Sequence, residues 1–98
     1  MPTLELPASV RPLIRHLAAT PGVRRVVLFG SRARGDAQPR SDVDLALDAP
    51  GLTREGWVRL QAAAEEADTL YRIDLVRLGD APPALQDQIA HEGVALHV

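Results

Sequence analysis

Three aspartates have the spacing that metal-assisted chemistry requires. Asp42 and Asp44 alternate with apolar residues, so both carboxylates are expected on one face of a strand. Asp74 stands inside the apolar run from Ile73 to Leu78, where an uncompensated carboxylate is costly. Three ionised carboxylates placed close together would repel one another unless cations intervene. Such oxygen ligands suit Mg²⁺, and a pair of ions can serve an in-line displacement at phosphorus.

A glycine–serine pair ahead of the aspartates predicts a phosphate-binding turn. Gly30-Ser31 follows the apolar end of segment 24–29 and would offer a close backbone approach, exposed N–H groups and a hydroxyl. Residues 24–40 carry five arginines against one aspartate, which leaves +4 in a chain whose net charge is −2. Because arginine fits the negative charge of a triphosphate, this segment predicts a site for a small polyanion.

Each of these features also has an ordinary structural explanation. An Asp-x-Asp can be a solvated strand start, and Asp74 can simply pair with Arg32 or Arg72. Ser31 can be a helix N-cap, and Gly30 and Gly35 can be turn glycines. Their joint occurrence in this order is what favours a site. Competing motifs fail, since Asp36 stands where a P-loop requires lysine and no G-x-G-x-x-G sequence occurs.

The composition excludes several classes of protein. The chain has 98 residues with no cysteine and no lysine, which removes disulfides, thiolate chemistry and lysine-based mechanisms. Its apolar fraction of 46% is that of a globular chain, and we expect a single domain over residues 1–98. No apolar run approaches the ~18 residues of a membrane span, and the N-terminus lacks the pattern of a signal peptide. We therefore expect a cytoplasmic protein with no membrane contact and no direct nucleic-acid binding.

Hydrophobic periodicity and turn residues predict alternating helices and strands. The predicted N-caps of the three long helices are Ser9, Thr53 and Asp80. A single helical turn fits residues 30–35. The predicted helices are 9–19, 53–70 and 80–91, and the predicted strands are 24–29, 42–48, 72–78 and 94–98.

The lengths of the connections decide the expected topology. Strands 24–29 and 42–48 are joined too closely for a parallel crossover, so we expect them to be antiparallel. The helix between strands 42–48 and 72–78 is long enough for a right-handed parallel crossover. The order αβ(turn)βαβαβ then predicts an α/β (α+β) fold, a small mixed β-sheet packed with helices. In this topology the Gly30-Ser31 turn and the three aspartates meet at one edge.

Together these motifs resemble those of a known family. Three segments of the chain resemble the minimal nucleotidyltransferases of the DNA polymerase beta superfamily. They are the string Val-Val-Leu-Phe-Gly-Ser-Arg-Ala-Arg-Gly, the segment 41–45, and Ile73-Asp74-Leu75. The signature of that family is a Gly-Ser after an apolar strand, an Asp-x-Asp shortly after it, and a third aspartate between apolar residues. The resemblance covers nearly the whole chain and implies the nucleotidyltransferase fold.

The resemblance also implies a role for each matching residue. Asp42 and Asp44 would be the pair that binds Mg²⁺, with two ions expected. Asp74 would be the third carboxylate, which assists metal binding or acts as general base toward an acceptor hydroxyl. The residues expected to hold or lie near the nucleotide triphosphate are Gly30, Ser31, Arg32 and Arg34.

The family's partners suggest what the reaction would modify. Its small members are usually encoded beside a HEPN-domain protein, often an RNA-cleaving toxin, and can transfer AMP to that partner as antitoxins. The resemblance thus implies transfer of a nucleotide, AMP from ATP, to a hydroxyl of a HEPN partner. Two alternatives stay open: a non-catalytic antitoxin that acts by binding alone, and an enzyme that modifies a small molecule such as an aminoglycoside. Intact carboxylates favour catalysis over binding alone.

Overall fold

A computed structural model describes residues 6–96 of the chain. Its strands are β1 (Arg25–Phe29), β2 (Val43–Asp48), β3 (Ile73–Arg77) and β4 (Val94–Leu96). Its α-helices are α1 (Arg11–Ala19), α2 (Ser31–Arg34), α3 (Arg54–Glu65) and α4 (Pro83–Glu92). The strands form one sheet in the order β3-β2-β1-β4. Within residues 6–96, every helix is too short or too polar to cross a membrane.

The strands pair as the connection lengths predict. β1 and β2 are antiparallel, whereas β2 and β3 are parallel and joined by α3. β4 adds to the free side of β1, also antiparallel. The register sets Phe29 opposite Asp44, and Asp44 beside Asp74. The predicted antiparallel pair, the parallel crossover and the mixed α/β (α+β) sheet are therefore confirmed.

The larger core lies between one face of the sheet and the helices α1 and α3. The apolar residues Leu13, Ile14 and Leu17 recur on one side of α1 and are buried there. α3 begins at the predicted cap, where the Thr53 hydroxyl accepts a hydrogen bond of 3.0 Å from the Gly56 amide. The sheet residues fully buried in this core include Val26, Leu28, Val43, Leu45 and Leu47.

The opposite face of the sheet is covered only in part, by α4. Ile89 of this helix packs in a small cluster with Val27 and Ala46. Ala46 is consequently buried, although strand alternation places it in the same row as Asp44. Asp44 lies two residues before Ala46 on β2 and is half-buried, whereas Asp42 and Asp74 are exposed. The end of the sheet that carries the aspartates is therefore only partly covered.

The end of α3 differs from the prediction. This helix ends at Glu65 rather than near Leu70. Beyond it, the Thr69 hydroxyl accepts the amide of Tyr71 at 3.3 Å, a local bond that competes with helical hydrogen bonding and turns the chain toward β3. Tyr71 still packs against the larger core, so the apolar spacing was correct while the helical interpretation of this segment was wrong.

Two of the three predicted caps are also wrong. α4 begins at Pro83, because the residue before a proline avoids helical angles and Ala81 is extended, so Asp80 lies in a separate 3-10 turn. Ser9 lies in a 3-10 turn before α1, and its hydroxyl shares a hydrogen bond of 2.8 Å with that of Thr69. The strands begin and end within a residue or two of the predicted positions, and the predicted residues His97 and Val98 lie outside the described part.

Candidate active site

The three predicted aspartates, here called the acidic trio (Asp42, Asp44 and Asp74), lie on one face at one end of the sheet. Asp44 and Asp74 are direct neighbours in the parallel ladder between β2 and β3. Asp42 precedes β2 by one residue and Asp44 by two, so alternation directs it to the same side. Asp42 and Asp74 are exposed and Asp44 is half-buried. The parallel crossover thus brings together carboxylates that are 30 residues apart in the chain, from 44 to 74.

The Gly30-Ser31 turn lies directly against the carboxylate of Asp44. Gly30 has φ 75° and ψ −158°, a conformation open essentially to glycine alone. A Cβ at this position would collide with Oδ2 of Asp44. Gly30 is itself the N-cap of α2, and no side chain caps this helix, so the Ser31 hydroxyl is not used as a cap. The structure therefore brings the turn against the trio, as the expected strand pairing requires, and a shared metal and nucleotide site stays a prediction.

Arg34 reaches the same site and is held there by two acidic side chains. Its Nη1 donates to Oε2 of Glu92 at 2.7 Å, and its Nε donates to Oδ2 of Asp36 at 3.2 Å. Glu92 is the last residue of α4, and its side chain is only 13% exposed. Glu92 was not predicted from the sequence, although an acidic residue at a helix C-terminus is electrostatically unfavourable and marks the position as unusual.

Arg32 and Arg34 differ sharply in environment. The Arg32 side chain is directed inward, and the residue is 5% exposed. Its guanidinium donates to main-chain carbonyls of the loop that leads into β2. Arg34 is exposed beside the acidic trio. Both were predicted to lie near the phosphates of a nucleotide, and for both this stays a prediction.

The positive charge of residues 24–40 does not form a single patch. β1 carries Arg25 at its start and leads to the Gly30-Ser31 turn at its other end, roughly 13 Å away at strand geometry. At the start of β1, away from the turn, the Nε of Arg25 pairs with Oδ2 of Asp48 at 3.1 Å. The prediction of one local positive field was therefore wrong, because an extended strand separates charges that are close in sequence.

Burial and like charge make Asp44 a weak acid for an aspartate. Desolvation of its carboxylate, followed by the negative charges of Asp74, Asp42 and Glu92, raises the pKa of Asp44 from 3.8 to about 6. The positive charge of Arg34 opposes this rise. A cation bound at the site would relieve the repulsion that raises this pKa.

The donor set of the acidic trio fits Mg²⁺ by its chemistry. Within residues 6–96, no group of three or more acidic, histidine or cysteine side chains converges tightly enough to enclose a metal ion. Mg²⁺ does not require such a cage, because it keeps several waters and binds through one or two carboxylates together with substrate phosphates. The excess negative charge around Asp44 is the feature that favours a cation here.

The raised pKa of Asp44 predicts that Asp44→Asn stabilises the metal-free protein. The effect should appear only at pH values above about 6, where the wild-type carboxylate is ionised. Because the folded-state pKa is the higher one, the folded protein binds the proton more readily, and stability falls as the pH rises from 4 toward 6. After discounting for solvent screening of this partly exposed group, the variant should gain about 1 kcal/mol near pH 7.5. Urea unfolding in EDTA at pH 4 and at pH 7.5 measures the difference in unfolding free energy between the variant and the unmodified protein. A gain that persists unchanged at pH 4 would contradict the electrostatic explanation.

Asp48→Asn is the matched control for that measurement. Asp48 lies at the other end of β2 and accepts a hydrogen bond from Arg25. Its replacement removes a favourable surface pair, so the variant should be unchanged or less stable by up to about 1 kcal/mol.

Comparison with known proteins identifies the class of protein. The family described as Polymerase beta, Nucleotidyltransferase matches residues 12–98. The chain therefore belongs to this nucleotidyltransferase family, whose members use a divalent metal. It is 31% identical over 83 residues to the candidate protein adenylyltransferase MJ0435 of Methanocaldococcus jannaschii, a match that spans 84% of this chain and 83% of the relative.

Solved structures narrow the resemblance to the minimal nucleotidyltransferases. A candidate minimal nucleotidyltransferase shares 36% identity at a TM-score of 0.67, with 88% of each chain covered. A toxin–antitoxin crystal structure with AMP-PNP has a chain of 30% identity and TM-score 0.67, with 91% of this chain and 70% of that one covered. A complex of a tri-AMPylated HEPN toxin of Shewanella oneidensis with its MNT antitoxin matches at 28% identity and TM-score 0.59, over 90% of this chain and 66% of that one. The predicted family and fold are confirmed.

Proposed function

We propose that this chain transfers AMP from ATP to a hydroxyl of a HEPN-domain toxin and thereby acts as its antitoxin. The observation that carries the proposal is the pairing of Asp44 with Asp74 directly beside the Gly30-Ser31 turn. Similar chains occur with AMP-PNP and beside an AMPylated HEPN toxin, which supports AMP as the transferred group. We assign residues 1–98 to one nucleotidyltransferase domain and place the reaction in the cytoplasm, where ATP is supplied.

Each residue of the site has a chemical role in this proposal. Asp42 and Asp44 would hold Mg²⁺, as two ions, with assistance from Asp74. Bound Mg²⁺ would supply positive charge where negative charge develops on the phosphate oxygens. The Gly30-Ser31 turn binds the triphosphate through its backbone and hydroxyl. Arg34, whose positive charge already acts on Asp44, lies near the phosphates and offsets their negative charge.

The proposed transfer exchanges one bond at the α-phosphorus of ATP for another. The acceptor oxygen forms a bond to the α-phosphorus, the bond from this phosphorus to the oxygen that bridges it to the β-phosphorus breaks, and pyrophosphate leaves. The proton of the acceptor hydroxyl passes to Asp74, an exposed carboxylate that a group from outside can reach. In-line positioning can supply ~7–11 kcal/mol of the barrier, so the acceptor must be held in place.

The open edge of β3 is the side from which a protein acceptor can approach. β3 is an outer strand of the sheet, and a cavity of about 380 Å³ along it is lined in part by Tyr71, Arg72 and Asp74. Leu70, just before this strand, is fully exposed, as an apolar side chain at a protein contact would be. Because Asp74 is exposed and an acceptor must be held in line, the chain alone should modify free acceptors poorly.

Incubation of the chain with its HEPN partner, labelled ATP and Mg²⁺ tests the proposal. We expect label on a hydroxyl side chain of the partner, loss of label in EDTA, and little label on the chain alone. Neutralisation of the partner without any label would favour the non-catalytic antitoxin. Rapid labelling of a free aminoglycoside by the isolated chain would favour the small-molecule enzyme, and either result would overturn the proposal.

Ser31→Ala should weaken nucleotide binding or turnover by about tenfold, the effect of ~1–1.5 kcal/mol of lost hydrogen bonding to phosphate. Thermal stability should be unchanged, because the hydroxyl does not cap α2. Ser31→Thr keeps the hydroxyl and serves as the control. A loss of stability with normal nucleotide titration would instead mean that Ser31 only supports the turn.

A further inference from the structure

Arg32 connects the Gly30-Ser31 turn to the loop that carries Asp42. Its Nε and Nη2 both donate to the carbonyl of Ser41, at 3.1 Å and 2.8 Å, and Nη2 also lies 3.4 Å from the carbonyl of Pro39. Ser41 is the residue directly before Asp42. The loop is closed on itself as well, since Oγ of Ser41 accepts the amide of Gln38 at 2.8 Å. Fixing the Ser41 peptide therefore fixes where the Asp42 backbone begins.

The same guanidinium also contacts the segment that leads to Asp74. Its central carbon lies 5.0 Å from the centroid of the Tyr71 ring, within the range of a cation–π contact. Tyr71 stands three residues before Asp74, and the neighbouring carbonyl of Arg72 accepts the amide of Val43 at 2.9 Å. Arg32 thus contacts both segments from which the outer two aspartates of the trio extend.

The burial of Arg32 makes these contacts obligatory. A guanidinium that is 5% exposed has lost most of its water, and the carbonyl oxygens and the aromatic face compensate part of that loss. Only the planar fork of arginine can donate twice to one carbonyl while stacking on a ring, and lysine cannot do both. A charged group held this firmly serves as a fixed support for the chain around it.

We propose that Arg32 is a positioning residue that sets the Asp42 loop against β3, so that the acidic trio is arranged for a divalent cation before nucleotide binds. This inference rests on the proposed function, because it concerns the same metal-dependent site. It differs from the predicted role of Arg32 as a phosphate neighbour. Its support is the set of main-chain and ring contacts that occupy the guanidinium.

Binding of Mn²⁺ in the absence of nucleotide separates the two roles by the sign of the effect. Removing a positive charge near carboxylates should by itself leave cation affinity unchanged or increase it. Removing a positioning group should lower it, since groups that orient metal ligands typically contribute about tenfold or more to affinity. We therefore expect Arg32→Met to weaken Mn²⁺ binding about tenfold, and Arg32→Lys to weaken it less.

Arg40→Met is the matched control. Arg40 is exposed in the same loop, and its replacement removes the same charge without disturbing the contacts of Arg32. Its Mn²⁺ affinity should stay within about twofold of the unmodified protein. Electron paramagnetic resonance of free Mn²⁺ gives all these affinities, and ATP titrations on the same samples follow nucleotide binding.

A second pair of variants decides the matter if Arg32→Met fails to fold. Tyr71→Leu removes the ring and keeps every charge, whereas Tyr71→Phe keeps the ring; we expect weaker Mn²⁺ binding only for the leucine variant. Equal Mn²⁺ affinity in these two variants, or unchanged Mn²⁺ affinity in a folded Arg32→Met protein, would overturn the inference. If instead the unmodified chain neither binds Mn²⁺ nor transfers AMP, the proposed function itself has failed.

Discussion

Asp44→Asn should abolish AMP transfer to the partner, with a rate at least about a thousandfold below that of the unmodified protein. The asparagine keeps the size of the side chain and removes the charge that a divalent cation requires. Asp44 is the central member of the trio, because it neighbours Asp74 in the ladder and lies against Gly30. The same loss is expected for Asp42→Asn. Labelling of the HEPN partner with ATP and Mg²⁺, at matched concentrations of folded protein, gives the rate.

The result is informative because the fold should survive. Relief of carboxylate repulsion should leave the asparagine variant as stable as the unmodified protein or slightly more stable, so inactivity could not be ascribed to unfolding. Asp48→Asn, on the same strand but at its other end, should retain transfer. Retained transfer in the Asp42 or Asp44 variant would remove the metal-dependent proposal for this site.

Gly30→Ala should lose both stability and activity. The backbone at Gly30 has φ 75° and ψ −158°, where an alanine costs roughly 1–3 kcal/mol of strain. The new methyl group would also collide with Oδ2 of Asp44 and displace that carboxylate. We expect the unfolding free energy to fall by at least about 2 kcal/mol and transfer to fall about a hundredfold or more. Urea unfolding and partner labelling measure the two effects.

Gly35→Ala separates strain from collision. Gly35 also has a positive φ, 86°, at the end of α2, but an added Cβ there meets no atom within 4 Å. Its replacement should cost only about 1 kcal/mol of stability and leave transfer nearly unchanged. If both alanine variants behaved alike, the contact between Gly30 and Asp44 would have no special importance.

Several parts of the site could be predicted because they depend on local rules. Alternation along β2 places Asp42 and Asp44 on one face whatever the sheet packs against. The short connection after β1 and the long helical one after β2 leave few ways to pair the strands, so Asp74 had to arrive beside Asp44. The turn at Gly30 could be predicted because glycine after an apolar strand marks a position where the backbone can take a positive φ, as it does here.

Other parts could not be predicted because they depend on which surfaces meet. Glu92 approaches the site only because α4 packs back onto the sheet, 58 residues after Arg34 along the chain. Neither residue type nor spacing distinguishes Arg32 from Arg34, yet packing directs the first inward to the Ser41 carbonyl and leaves the second exposed. The raised pKa of Asp44 likewise has its largest cause in desolvation, which exists only in the folded chain.

The sequence by itself therefore determined the family, the pairing of β1 with β2 and of β2 with β3, and which three aspartates form the acidic trio. These follow from periodicity, connection length and residue chemistry, which act over a few residues or through chain connectivity. The tertiary structure decided the separation of Arg25 from the site and the partners of Arg32 and Arg34. Those features arise from competition among contacts distant in sequence, where burial decides which polar groups must be satisfied by the protein and which by water.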